Sequence, residues 1–301
     1  MTKLVTIIIP SYNHSRYIGK TIKSVLLQTY TEIELIIIDD GSIDNSIAVI
    51  NSYESECQSK LKKYTFIHRN NKGLCATLNE AIKISSGEYI SIIASDDIMK
   101  KDKTLAQVNY LNSNIECVGV FSGADVIKEN GELLVVRNGS NKKYYFKDII
   151  TNNYQLFSPS AMYRSLEIKE AGLYRTDILL EDWYMNLKLT EKTGYLIALP
   201  DVLICYRRHS SNTSLLSPRL HQDRKKILDL FANSIYYDHA KLELKYTIAY
   251  ESVTFNKIKT LKYLLYCIFK NKKFALRRQT LVTIAKLFFP KKYLNKRLTG
   301  K

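Results

Sequence analysis

The chain has 301 residues and 46% apolar content, enough for one large domain or a domain with an appendage. Its net charge of +16 is uneven: no Asp or Glu follows Glu251, yet fourteen Lys and Arg lie between Lys257 and Lys301. The five cysteines (Cys57, Cys75, Cys117, Cys205 and Cys267) are scattered, without a C-x-x-C pair. That argues against a disulfide scaffold or a zinc site and for a reducing compartment. No early run reads as a signal peptide, and none reaches the ~18 apolar residues of a membrane span, so a cytoplasmic protein is expected.

Residues 4–9 are a β-branched run, expected as a strand buried on both faces. Helical spacing follows over 15–28, then a strand over 33–38 and a helix from about 44, with Asp44 or Ser42 as N-cap. Phe66-Ile67-His68 reads as a third strand, Leu74 to Ile84 as a helix closed by Ser86-Gly87, and 88–94 as a fourth strand. This alternation predicts a right-handed parallel sheet over roughly the first hundred residues. Further on, Glu129-Asn130-Gly131-Glu132 marks a hairpin between 116–128 and 132–137. Residues 195–208 read as two short strands around Leu199-Pro200-Asp201, which makes the second half mixed. From about 217 the pattern is helical, with apolar positions Ile258, Leu261, Leu265 and Ile268, then Leu281, Ile284, Ala285 and Phe288.

Three of the apolar runs break into polar clusters: Pro10-Ser11-Tyr12-Asn13, Asp39-Asp40-Gly41-Ser42 and Ser95-Asp96-Asp97. Strand ends of a parallel sheet face one crevice, so Tyr12, Asp40 and Asp97 are expected at one site. Paired carboxylates there suit a hard divalent cation, and the cation suits a diphosphate. Taken singly, Asp40 also fits a turn, Asp96-Asp97 a helix cap, and Glu181-Asp182 a helix-start acid pair.

In order along the chain, these clusters are joined by Asn71-x-Gly73 with Ala76 and Asn79, by Gly87-Glu88-Tyr89, by Glu181-Asp182-Trp183 and by Tyr206-Arg207-Arg208-His209. Over about residues 3–215 the set resembles the inverting family 2 glycosyltransferases. The resemblance implies an α/β, GT-A fold: a Rossmann-like, mostly parallel sheet with a mixed acceptor half. It divides the chain into a catalytic domain, 1–215 (nucleotide-binding half 1–100, acceptor half 101–215), and a basic helical extension, 216–301. It further implies Asp40 as acceptor for the uracil N3–H, with Pro10, Ser11 and Tyr12 lining the nucleoside pocket and Asn71 and Gly73 passing near the base. Asp96 is expected near the ribose or donor sugar, and Asp97 with His209 on Mn2+ or Mg2+. Asp182 is implied as the general base, Glu181 as a contact for acceptor hydroxyls, and Arg207 or Arg208 as a phosphate partner. Asp39 reads as the structural member of its pair. The Gln-x-x-Arg-Trp element of processive relatives does not occur, so one sugar is expected per binding event.

The similarity to bacterial O-antigen and capsule enzymes implies a UDP-sugar donor and a saccharide acceptor carried on a polyprenyl diphosphate. The basic tail fits an anionic inner-membrane surface, or a stripe packed on the catalytic domain with solvated lysines. Its aromatic residues Tyr263, Tyr266, Phe269 and Phe274 lie among basic ones, but the apolar periodicity points to a buried face and not to nucleic-acid stacking. A nucleotidyltransferase would show a Gly-rich phosphate loop near the N-terminus, which Pro10-Ser11-Tyr12-Asn13 is not. A catalytically silent binding protein would have lost the metal or base aspartate, and both are present.

Overall fold

In a computed structural model that describes residues 2–209 and 218–289, the unbroken apolar run at the N-terminus becomes a central strand. The strands are β1 (Val5–Ser11), β2 (Ile33–Asp39), β3 (Lys63–His68), β4 (Tyr89–Ile92), β5 (Ile98–Met99), β6 (Cys117–Lys128), β7 (Leu133–Arg137), β8 (Lys143–Tyr144), β9 (Met162–Arg164) and β10 (Tyr195–Arg208). The helices up to residue 190 are α1 (Ile18–Leu26), α2 (Ser46–Ser52), α3 (Glu54–Lys60), α4 (Leu74–Ile84), α5 (Lys103–Ser113), α6 (Phe146–Ile150), α7 (Ser165–Glu170) and α8 (Glu181–Thr190). After the catalytic sheet come α9 (Pro218–Asp229), α10 (Tyr237–Ser252), α11 (Lys257–Lys270) and α12 (Arg278–Phe288).

All ten strands form one sheet in the order β3-β2-β1-β4-β9-β6-β10-β5, with β7 on β6 and β8 on β10. β1 runs parallel to β2 and β4, pairing Val5 with Ile33 on one side and with Tyr89 on the other. Parallel pairing on both sides buries the middles of both strands, Ile7–Ile9 and Leu35–Ile38, which are wholly apolar. The sense reverses at β9, which is antiparallel to both β4 and β6. The expected parallel half and mixed half therefore meet beside β4.

The β6–β7 hairpin forms around the Asn-Gly turn as its sequence indicates. Residues 195–208 differ from expectation: they make one strand of 14 residues, with register shifts between Ala198 and Ile204. Pro200 cannot donate to a ladder, and a bulge absorbs it without ending the strand. The chain divides into two compact units, Met1–Ile149 with Tyr154–Thr213, and Ile150–Asn153 with Ser214–Lys301. Inside the second, Tyr246, Ala249, Leu264, Cys267 and Phe274 form a small core of their own. The tail's last basic residues, from Lys291 onward, lie outside the described residues.

One buried acid braces the entry edge of the sheet. Glu34 in β2 accepts from Thr6 Oγ1 at 2.5 Å and from Ser86 N at 2.7 Å, and pairs with Lys63 Nζ at 2.8 Å. The Ser86-Gly87 turn presses so close that a Cβ on Gly87 would stand 2.5 Å from Thr6 N, which accounts for the glycine of Gly87-Glu88-Tyr89. Desolvation pushes the Glu34 carboxyl up, but the bonds from Lys63, Thr6 and Ser86 outweigh it and hold its pKa below the ordinary value. Its contribution is therefore present above the unfolded carboxyl pKa and is lost as pH falls through the lower folded one. Glu34→Ala should cost about 2–3 kcal/mol in denaturant melts at neutral pH, with a shrinking difference in acid. A variant equal to wild type at neutral pH would show that the carboxylate braces nothing.

Candidate active site

Three turns at the C-terminal ends of β1, β2 and β4 lie side by side, because those strands are neighbours in the sheet. Asp39 ends β2 fully buried, taking hydrogen bonds from Ser11 Oγ at 3.0 Å and from Ser42 N and Oγ at 2.8 and 2.6 Å. It thus fastens the β1 turn to the β2 turn. Ser11 donates its hydroxyl proton there and is buried. Tyr12, next in line, is 48% exposed. Asn13 (φ +53°) accepts from Ile43 N, and His14 N donates to Ser46 Oγ, so the two turns stay laced beyond the strands.

Asp40 points the other way, toward the segment after β3. Its Oδ1 accepts from Lys72 N at 2.8 Å and from Arg69 Nη1, and its Oδ2 accepts from Gly73 N at 2.9 Å. Arg69 is held in turn by Glu80 and Thr77. Asp40, Asn71 and Gly73 are therefore together, and Arg69, its side chain 12% exposed, is bonded among them. Gly41 (φ +80°) has no alternative: a Cβ there would meet Asn71 N at 2.8 Å.

Past β4, α1 holds the turn bearing Asp96 and Asp97, since Thr21 Oγ1 donates to the carbonyls of Ser95 and Asp97. The two aspartates then part. Asp97 is fully buried; its Oδ1 accepts from Arg207 N at 2.8 Å, and its Oδ2 has no hydrogen-bond partner among the described residues. Burial, then the charge of Asp96, push the Asp97 pKa well above the ordinary carboxylate value, only partly opposed by that N–H. Asp96 is the one that meets His209, Oδ2 to Nε2 at 2.7 Å. His14 joins them, and one donor atom from each of His14, Asp96 and His209 lies within 4.8 Å of the others. Tyr17 stacks on the His209 ring at 5.4 Å, and His14 meets the same ring edge-on at 5.6 Å.

Two imidazoles and a carboxylate fit a first-row cation such as Mn2+ better than Mg2+, which prefers oxygen throughout. Burial lowers the His14 pKa, with His209 adding to the effect against Asp96, so the ring stays neutral and able to ligate. His14 is absent from the sequence expectations; only its place directly after the Pro-Ser-Tyr-Asn turn could have marked it. Arg207 is buried, with Nε donating to Asp96 O and Nη1 to the carbonyls of Lys128 and Glu129. These bonds brace the β6–β7 turn against the aspartates.

Glu181 and Asp182 open α8. Asp182 Oδ2 accepts from Ser158 Oγ at 2.5 Å and Oδ1 from Trp183 N at 2.7 Å. Ser158 is fixed because Gln107 Nε2 and Ser122 N bond Ser160 in the same 3-10 turn (Ser158–Ser160). Desolvation and then the Asp182 charge push Glu181 up to about 8. Glu181 therefore stays protonated at neutral pH. Phe157, beside Ser158, meets Tyr206, beside Arg207, edge-on at 5.2 Å, which links the α8 acids to the aspartate turn.

A Rossmann-like half opening beside a mixed half, with acid pairs at the strand ends, defines the GT-A class of fold. The chain belongs to glycosyl transferase family 2, whose model matches residues 6–169. It is 29% identical over 219 residues to the chondroitin synthase of Escherichia coli, covering 70% of this chain and 30% of that protein. It is 27% identical over 257 residues to an uncharacterized glycosyltransferase of Haemophilus influenzae, covering 82% of this chain and 93% of that one. The chain spans well under half the length of several curated relatives, 30% of the chondroitin synthase and 39% of a Nostoc glycosyltransferase. Among solved structures, S. aureus TarS 1-349 in complex with UDP-GlcNAc is similar at TM-score 0.65 and 18% identity, over 94% of this chain and 88% of that one. The mannosyltransferase PcManGT of Pyrobaculum calidifontis, in complex with GDP-Man and Mn2+, is similar at TM-score 0.64 and 16% identity, over 100% and 88%.

The geometry separates the two central aspartates by experiment. Asp96→Asn and His14→Ala should each weaken Mn2+ binding roughly tenfold to a hundredfold in calorimetry, while Asp97→Asn changes it only a few-fold. Equal losses for all three would return the ligand role to Asp97.

Proposed function

We propose that the chain is a metal-dependent, inverting glycosyltransferase that moves one sugar from a UDP-sugar to a saccharide acceptor. The acceptor is polyprenyl-diphosphate-linked, met at the inner face of the plasma membrane during surface polysaccharide synthesis. One observation carries the reaction type: an acid pair, Glu181 and Asp182, with Glu181 held protonated, linked through the Phe157–Tyr206 ring contact to the turn with the His14, Asp96 and His209 donor set. A nucleoside diphosphate fits between such groups. UDP is favoured by Asp40, whose Oδ2 keeps a lone pair beyond its bond from Gly73 N and can accept from a uracil N3–H. The UDP-GlcNAc complex of TarS supports the same donor class.

Asp96, His209 and His14 would hold the cation, which when bound neutralises charge on the departing diphosphate. The protein's own part is proton transfer and alignment. As the acceptor oxygen bonds to the anomeric carbon and the bond to the diphosphate breaks on the opposite face, Asp182 takes the hydroxyl proton. Ser158 Oγ and Trp183 N occupy one site on each Asp182 oxygen and fix the carboxylate plane. Glu181, kept protonated, can donate a hydrogen bond to an acceptor hydroxyl. The C-terminal helices, basic and without carboxylates after Glu251, suit an anionic membrane surface.

UDP release with Mn2+ and a panel of UDP-sugars tests the reading directly. Asp182→Asn should keep UDP affinity and lose about a thousandfold in turnover; an active variant sinks its role as base. Glu181→Gln, which preserves a neutral side chain, should stay within about tenfold of wild type at neutral pH. It should also abolish the rate change that wild type shows as pH rises through about 8, where the second acid ionises. No UDP binding and no turnover with any donor would overturn the proposed reaction as a whole.

A further inference from the structure

The tail carries two apolar faces where a packed helix needs one. In α11, Thr260, Leu264 and Cys267 are buried, and Leu264 and Cys267 join the small core with Tyr246, Ala249 and Phe274. In α12 the buried residues are Thr280 and Thr283, with Tyr246 Oη and Thr280 Oγ1 2.9 Å apart. Arg277 grips Glu243 of α10 with both Nη atoms at 2.6 Å, so this hairpin is firmly seated. Of the apolar positions prominent in the sequence of α11, Ile268 packs against that core; the others do not. Ile258 (83% exposed), Leu261 (48%), Leu265 (58%) and Phe269 (84%) face outward from α11.

At 3.6 residues per turn these four fall within roughly 80° of the helix circumference. Leu281, Ile284 and Phe288 repeat the pattern on α12 and are also exposed. Lys257 Nζ donates to the carbonyls of Leu287 and Phe289, tying the start of α11 to the end of α12. Lys262, Lys270, Lys272, Lys273 and Arg278 are exposed around these stripes, and no carboxylate lies in this stretch. Contiguous exposed apolar surface on a soluble face is unusual and marks an interaction site. An apolar stripe rimmed only by cations complements anionic headgroups over acyl chains, with lysine stems reaching back to the headgroup level.

We infer that the outward stripes of α11 and α12 form an interfacial insertion surface for an anionic phospholipid bilayer. The inward faces hold the helices together and the outward ones enter the acyl boundary. This surface names the partner of the basic helices and depends on the proposed reaction only for its purpose, access to a lipid-linked acceptor.

The test uses the full chain sedimented with phosphatidylcholine vesicles, with and without phosphatidylglycerol, in rising salt. Wild type should co-sediment with the anionic vesicles and weaken with salt. Leu265→Ser combined with Phe269→Ser should lose roughly tenfold in vesicle affinity while helicity and UDP binding stay unchanged. Leu281→Ser with Phe288→Ser, on the second helix, gives the same reading should the first pair fail to fold. The inference is overturned if wild type ignores anionic vesicles, or if both apolar pairs bind as wild type does. It is overturned too if wild type self-associates without lipid and the exchange makes it monomeric, for then the stripe covers a second copy. UDP release measured on the same samples keeps the outcomes apart: turnover without vesicle binding removes this surface and leaves the reaction standing.

Discussion

The buried carboxylate of Asp39 is the point on which the site depends. Three strands end together, and each leaves polar backbone that must be satisfied out of water. Asp39 meets that demand by accepting from Ser11 on the β1 turn and twice from Ser42 on its own turn. His68 Nδ1, at the end of β3, lies 3.3 Å away. One acid thus fixes three strand ends against each other. A buried charge is tolerable only with such full hydrogen bonding, and that requirement makes the arrangement rigid.

The same division of labour recurs in each acid pair. Asp39 is the brace while Asp40 anchors the Arg69–Gly73 segment; Asp97 is the brace, bonded to Arg207 N, while Asp96 faces two histidines. Glu181 is kept neutral beside Asp182, whose carboxylate is bonded by Ser158 Oγ and Trp183 N. Two adjacent carboxylates cannot both ionise cheaply in a poorly solvated site, so burial sorts them into a structural and a chemical member. Burial also decides which member is which. In the first and second pairs the more deeply enclosed acid is the brace, Asp39 before Asp40 and Asp97 after Asp96. Sequence order therefore does not carry the answer.

That is also where the sequence stopped being legible. The parallel half was readable because β1 opens on a β-branched run and β2 carries the apolar run Leu35–Ile38, a pattern with few alternatives. The Asn-Gly hairpin was readable from its turn chemistry. The bulge in β10 was not, since a proline between two apolar runs reads equally as a break or as an absorbed kink. Asp40, Asn71 and Gly73 could be grouped by motif order, yet the placement of Arg69 among them depends on Glu80 and Thr77 from the next helix. His14 entered the donor set through the fold of one turn, at a position no spacing rule singles out.

The tail poses the reverse problem, since its periodicity was plain and its meaning was not. A helical repeat shows that one stripe is apolar but not whether that stripe meets protein or something else. In α11 Thr260, Leu264 and Cys267 are buried, with Tyr263 and Ile268 packed beside them, while Ile258, Leu261, Leu265 and Phe269 stay exposed. The hairpin is seated by that small core together with the Glu243–Arg277 pair. The larger residues are then surplus to folding, and exposing them in water carries a hydrophobic cost with no return in the isolated chain. A surface that holds such residues among lysines, and excludes every acid, is shaped by what it meets outside the protein.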